Sequence, residues 1–163
     1  MSDTSQKLRV LFVCLGNICR SPTAEGVFRA AVENAGLSER IEVDSAGTGD
    51  WHIGSPPDIR AQVAAYARGV DIQGLRARQV RAEDFERFDV ILAMDHANLG
   101  TLERLRPEGA RATVSLLLDA VPDAPTREIP DPYYGARDGF HEVLDMIETA
   151  SDGLLQSLKP RIE

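Results

Sequence analysis

The stretch LRVLFVC, residues 8 to 14, is apolar at almost every position. A run that short and that continuous predicts a parallel strand covered on both faces. The loop LGNICR follows, and then the spacing changes. Ala24, Val27, Phe28, Ala31 and Val32 recur as one apolar stripe of a helix. Pro22 suits its first turn, Ser21 its N-cap and Gly36 its stop. IEVDSAG, residues 41 to 47, alternates and predicts a second strand. GTGDWHIGSPPD, residues 47 to 58, is a Gly- and Pro-rich loop holding the only Trp. Ile59, Val63, Ala64 and Ala67 predict the inner face of the next helix, ending near Gly69. A short helix is expected at residues 81 to 88, a strand at 89 to 94 and a helix from about 95 to 105. ATVSLLL, residues 112 to 118, predicts the fourth strand. Residues 119 to 137 are expected to be a long loop ending in IPDPYYGAR. The last helix buries Phe140, Val143, Leu144, Ile147, Leu154, Leu155 and Leu158, with Gly153 as a bend point.

Strands that alternate with helices imply an α/β domain with a parallel sheet. Right-handed crossovers gather the loops after the strands on one edge, where such folds bind ligands. The loop after the first strand is the Cys14 loop. Nothing in the pattern reads as a repeat, a low-complexity tract or a linker. Residues 1–163 therefore read as a single domain, with 1–7 expected to be flexible.

Composition narrows the partners. Apolar residues make up 43% of the 163 positions, enough to build a sizeable core. The formal charge of −8 argues against nucleic acid or an anionic membrane surface, both of which select basic patches. It leaves room for a small basic pocket. Of the basic residues 16 are Arg and 2 are Lys, and Arg carries the planar fork that grips phosphate with paired hydrogen bonds. Residues 1–7 are polar, and no apolar run nears the roughly 20 residues of a membrane helix. Two cysteines do not build a disulfide scaffold, so the expectation is a cytoplasmic chain with reduced thiols.

Both cysteines lie in VCLGNICRSP, residues 13 to 22. A strand, a Gly-containing loop and a helix start form an anion site, because backbone N–H groups turn inward and the helix end is positive. Cys14 would sit at its base and Arg20 along its rim. The same N–H groups and helix end favour a thiolate, and a thiolate under a bound phosphate is a nucleophile aimed at phosphorus. The Cys-to-Arg spacing alone decides little, since Arg fills about one position in ten here. The context adds weight: Gly16, an Asn17 that tolerates a left-handed backbone, and Ser21 within reach of the sulfur. The competing reading makes Cys14 a small buried hydrophobe at a strand end. Loss of an aryl oxygen also needs an acid, and Asp131 in DPYYG is the richest candidate. Pro132 holds Asp131 extended, and Tyr133 and Tyr134 would wall an aromatic pocket. Turn statistics alone favour an ordinary Asp-Pro turn there.

These residues resemble the low-molecular-weight protein tyrosine phosphatases, a cysteine-based family. The matching pieces are VLFVCLGNICRSPTAE (10 to 25), DSAGTGDWHIGSPPD (44 to 58), ARQ (77 to 79), DFERFDVILAMDHANL (84 to 99) and DPYYG (131 to 135). The resemblance implies one three-layer α/β domain with a four-stranded parallel sheet, order 2-1-3-4, flanked by helices. It implies hydrolysis of phosphotyrosine and aryl phosphate monoesters through a cysteinyl phosphate. Cys14 would be the nucleophile, Arg20 the phosphate clamp and Asp131 the general acid and base. Leu15, Gly16, Asn17, Ile18, Cys19 and Ser21 would form and support the phosphate loop, and Trp51, Tyr133 and Tyr134 the substrate cleft. The implied partners are phosphotyrosine proteins, with inorganic phosphate as product; whether the substrate is a host protein, a bacterial tyrosine kinase or a small phosphate ester stays open at the level of sequence. A monomer without cofactor or metal is expected, without nucleic acid or membrane. The Trp and the paired tyrosines look like the branch shared by eukaryotic and some bacterial members. One position departs: many members carry a His shortly before ARQ that bonds the loop Asn, and here Leu75 falls there. Asn17 must then find another partner.

Other readings fare less well. A thiol-dependent arsenate reductase relays a disulfide through further cysteines, and this chain has only Cys14 and Cys19, so it would need an external thiol. A phosphotyrosine-binding regulator typically loses the nucleophile or the acid, and Cys14, Arg20 and Asp131 are all present. His52, His96 and His141 lack metal-ligand spacing and read as solvated or locally bonded, with His52, beside Trp51, also placed where it could touch substrate. Asp95 reads as a helix N-cap, and the acidic residues of 83 to 89 and 138 to 148 as solvated faces. Cys19 is either packing behind the loop or a resolving thiol that traps an oxidised Cys14 as a disulfide. On the resolving reading, peroxide-treated protein shows a reducible Cys14–Cys19 link by mass spectrometry, and its absence leaves Cys19 a packing residue.

Overall fold

The computed structural model describes residues 7–133 and 138–162. Strands β1 (Leu8–Cys14), β2 (Ile41–Gly47), β3 (Val90–Ala93) and β4 (Thr113–Leu116) form one parallel sheet in the order β2-β1-β3-β4. Helices α1 (Arg20–Asn34), α2 (Ile59–Tyr66), α3 (Asp84–Arg87), α4 (His96–Leu105) and α5 (Asp138–Ile162) complete it.

The continuous apolar run of β1 has a direct cause. Its side chains alternate between two cores. Val10, Phe12 and Cys14 join the core that α1 and α5 cover. Leu11 and Val13 join a second core with Phe85 of α3 and Leu102 of α4. Phe12 meets Phe28 edge to face, with ring centroids 5.6 Å apart. The sheet is thus covered on both faces, as expected of a three-layer domain. All seven apolar residues expected to anchor the last helix are buried in the α1–α5 core.

Several boundaries and faces differ from the sequence expectations. β3 spans Val90–Ala93 rather than 89 to 94. β4 ends at Leu116, because residues 117–120 wind into a 3-10 turn whose Asp119 carboxylate accepts from the Leu116 N–H. Helix α1 starts at Arg20 with Cys19 at the cap position, so Ser21 lies inside the first turn and its hydroxyl serves elsewhere. Helix α2 is rotated from its expected face. Its small residues Ala61, Ala64 and Ala65 are buried, while Ile59 and Val63 remain 67% and 62% exposed. Packing against α1 and α5 selects its small side, and Asp58 fixes the rotation by capping the helix and holding Arg60. The acidic stretch 83 to 89 is not simply solvated. Asp84 is buried and binds the Arg78 guanidinium, and Asp89 accepts from the Arg9 N–H. Asp145 and Glu148 stay at the surface, where they share Arg68. Among the described residues no helix is long and apolar enough to cross a membrane.

Helix α5 runs without a break through Gly153, from Asp138 to Ile162. The role of Gly153 is close approach: a Cβ there would stand 2.4 Å from the Ala120 carbonyl oxygen of the 3-10 turn. Gly153→Ala should therefore destabilise the protein by about 1–3 kcal/mol despite the better helix propensity of Ala. Chemical denaturation would register it, and a stabilised variant would contradict the close packing.

Candidate active site

Strand β1 ends at Cys14, and the chain then turns back through residues 15–19 into α1. The turn depends on Asn17, which adopts φ 57°, the left-handed backbone that Asn tolerates. Its backbone N–H then points at the Cys14 Sγ, 3.3 Å away. The Ser21 Oγ lies 3.0 Å from the same sulfur. Ser21 receives a hydrogen bond from Asn17 Nδ2 at 2.8 Å, which leaves its single proton for the sulfur or for the Ala46 carbonyl at 3.3 Å. Two donors thus converge on a buried thiol.

The loop is tight despite Leu75. Asn17 Nδ2 also donates to Ser45 Oγ at 3.0 Å, and Asn17 Oδ1 accepts from the Arg78 backbone N–H at 3.0 Å. Ser45 passes its proton to the buried Glu25, 2.6 Å away, and Arg29 closes the chain at 2.5 Å. Burial pushes the Glu25 carboxyl up, opposed by the Ser45 hydrogen bond and by Arg29. The Arg78 guanidinium lies between Asp44 and Asp84, while its carbonyl accepts from Gly47. Leu75 meanwhile packs against the core. Strand β2 contributes a close approach as well, for a Cβ on Gly47 would stand 2.8 Å from the Leu15 carbonyl oxygen.

Arg20 is 3% exposed, so its charge must be paired. Its Nη1 donates to Asp95 Oδ2 at 2.7 Å and to the Ile129 carbonyl at 2.9 Å, and its Nη2 stands 3.6 Å from Asp131 Oδ2. Asp95 has two tasks, since its other oxygen caps α4 at the Asn98 N–H. Asp131 also accepts from the Tyr133 N–H, a short turn of the kind Asp-Pro favours. Arg60 steadies this segment: it donates to the Tyr133 carbonyl and stacks 5.4 Å from the Tyr133 ring centroid. The carboxylate of Asp58 is held below its usual range by Arg60, and the Asp58 N–H reaches the Ile18 carbonyl.

One cleft of about 390 Å³ gathers these groups. Cys14, Ile18, Cys19 and Arg20 are its buried lining, with Leu15, Gly16, Trp51, Tyr133 and Asp131 around them. Asn17 and Ser21 support the loop from behind rather than line the cleft. Tyr134 lies outside the described residues. His52, expected to be solvated, lines the cleft, with its ring against Gly16 and 6.4 Å from the Tyr133 ring centroid. Burial first, and the Asp58 carboxylate next, push the Cys19 thiol well up, so it stays protonated at neutral pH. Sequence reasoning missed Ser45, Glu25 and Arg78 as loop supports and Asp95 as the partner of Arg20. All four lay in family-like stretches, SPTAE, DSAG, ARQ and AMDHANL, but spacing along the chain did not say which faced the loop.

Known proteins resemble this chain in sequence and fold. Residues 9–162 match the family model described as low molecular weight phosphotyrosine protein phosphatase. A low molecular weight protein-tyrosine-phosphatase of Streptomyces coelicolor is 48% identical, covering 95% of this chain and 96% of that protein. The crystal structure of YfkJ from Bacillus subtilis superposes with a TM-score of 0.91 at 42% identity, covering 97% of this chain and 98% of that one. A protein tyrosine phosphatase from Entamoeba histolytica, solved with Hepes in its active site, reaches 0.90 at 40% identity, with 94% and 98% covered. With such a match over nearly its whole length, the chain belongs to the low molecular weight phosphotyrosine protein phosphatase family.

Proposed function

We propose that this chain hydrolyses phosphotyrosine in proteins, and aryl phosphate monoesters, through a cysteinyl-phosphate intermediate on Cys14. One observation carries the reading: Arg20, next to the Cys14 loop, also contacts Asp131, so groups remote in sequence share one cleft. In the first step the Cys14 thiolate attacks phosphorus and the bond to the aryl oxygen breaks. Arg20 and the loop N–H groups hold the equatorial oxygens as negative charge spreads over them. Asp131 gives its proton to the departing oxygen. In the second step water attacks phosphorus, Asp131 takes the proton, and the sulfur leaves as thiolate. Inorganic phosphate is released. The N–H of Asn17 and the hydroxyl of Ser21 stabilise the sulfur each time it carries charge. Trp51 and Tyr133 suit a flat aromatic leaving group.

The same reading takes a tyrosine kinase as one substrate and has the chain act as a monomer in a reducing cytoplasm. Both cysteines are free thiols, as a cysteine nucleophile requires. Hydrolysis of para-nitrophenyl phosphate near pH 6, without added metal, tests the core of it. Cys14→Ser should abolish turnover, and Asp131→Asn should lower it by about 10²–10⁴-fold. Turnover that survives Cys14→Ser would remove the nucleophile, and an unchanged rate in Asp131→Asn would remove the acid.

A further inference from the structure

Building on that reading, we propose that Glu128 is a positioning residue for the acid: its carboxylate clips the segment carrying Asp131 to the first turn of α4. Glu128 Oε2 accepts from the His96 backbone N–H at 2.9 Å and stands 3.1 Å from His96 Nδ1. His96 is the first residue of α4, so that N–H has no partner within the helix. The next residue in the segment is locked too. The Ile129 N–H donates to the Met94 carbonyl at 2.8 Å, and the Ile129 carbonyl accepts from Arg20. Residues 128 and 129 are thus zipped onto 94 to 96, with Arg20 and the Asp95 carboxylate between them.

Beyond this zip, Pro130 restricts its own backbone and that of Ile129, and Asp131 follows directly. From the N-terminal side, the aim of the Asp131 carboxyl is therefore set over two residues from the last clamped position, while the Tyr133 N–H holds it from the other side. Glu128 itself does not line the cleft. The His96 N–H, and then the imidazole, hold the Glu128 carboxyl below its usual range, against repulsion from Asp95. The exposed ion pair adds little by itself, so the helix-end N–H is the firmer contact. Arg127 adds an independent tie to the 3-10 turn through Asp119 and the Leu118 carbonyl. That tie holds the segment in place but not the direction in which Ile129 leaves it.

Proton donation requires the acid within about 2.6–3.2 Å of the leaving oxygen, and small misplacements are costly. A phenol that leaves easily as its anion does not need the proton. The full chain and its Glu128→Ala, Glu128→Gln and Asp131→Asn variants would be assayed on aryl phosphates whose phenols run from strongly acidic to phenol itself. Glu128→Ala should lose about three- to tenfold in kcat/KM on phenyl phosphate and less than about twofold on the most acidic phenol, a weaker form of the Asp131→Asn pattern. Glu128→Gln keeps an oxygen for the His96 N–H and should stay near native on both. A loss equal across all phenols, no loss, or a Gln variant as impaired as Ala overturns the proposal. Hydrogen exchange at the Ile129 amide reads the clip without turnover: Glu128→Ala should exchange at least about tenfold faster, and unchanged protection overturns the clip. A native chain without Cys14-dependent turnover overturns the phosphatase reading and with it any role in catalysis, and the exchange result still says whether the clip exists.

Discussion

A guanidinium buried to 3% exposure, that of Arg20, is the constraint around which the rest of the structure is arranged. A charge taken out of water needs a close opposite charge and further hydrogen bonds, and removing such a partner typically costs about 3–5 kcal/mol. Asp95 supplies the charge at 2.7 Å and the Ile129 carbonyl a further bond. Meeting that need draws three separate pieces of chain together: the start of α1, the end of β3 and the segment before Asp131. The catalytic geometry is thus a consequence of satisfying one buried cation.

The phosphate loop shows how a departure from a family pattern can be absorbed. A buried Asn side chain offers two donors and an acceptor, and leaving them unpaired is expensive. With Leu75 at the family's His position, the acceptor of Asn17 is filled by the Arg78 backbone N–H and its amide by Ser45 and Ser21. Arg78 can present that N–H because two carboxylates and the Gly47 pairing hold its segment still. Leu75 then needs no polar partner and packs on the core.

Cys14 and Asp131 are anchored by different means. Cys14 ends a strand buried on both sides, so its position follows from the sheet. Asp131 sits on a segment held by the Arg20 bond and the buried side chain of Ile129 on one side and by Arg60 and Tyr133 on the other, so its position follows from polar contacts and from one core anchor. Side chains such as Arg60 do double duty, because the Asp58–Arg60 unit touches both the Ile18 carbonyl and the Tyr133 carbonyl.

Sequence determined the parallel α/β sheet and the strand–loop–helix turn that carries Cys14. Those rest on local periodicity and on short motifs, in which every atom involved lies within about ten residues. The left-handed Asn17 and the seven buried anchors of α5 belong in that class. Sequence misplaced what depends on neighbours. The exposed Ile59 and Val63 and the buried Asp84 follow from packing between distant elements. Periodicity says which side of a helix is apolar, but only the facing surface decides which side is buried. Polar residues give no periodic signal, so the partners of Asn17 and Arg20 were settled by tertiary structure, where a buried polar group must find whatever donor or acceptor the fold brings within 3 Å.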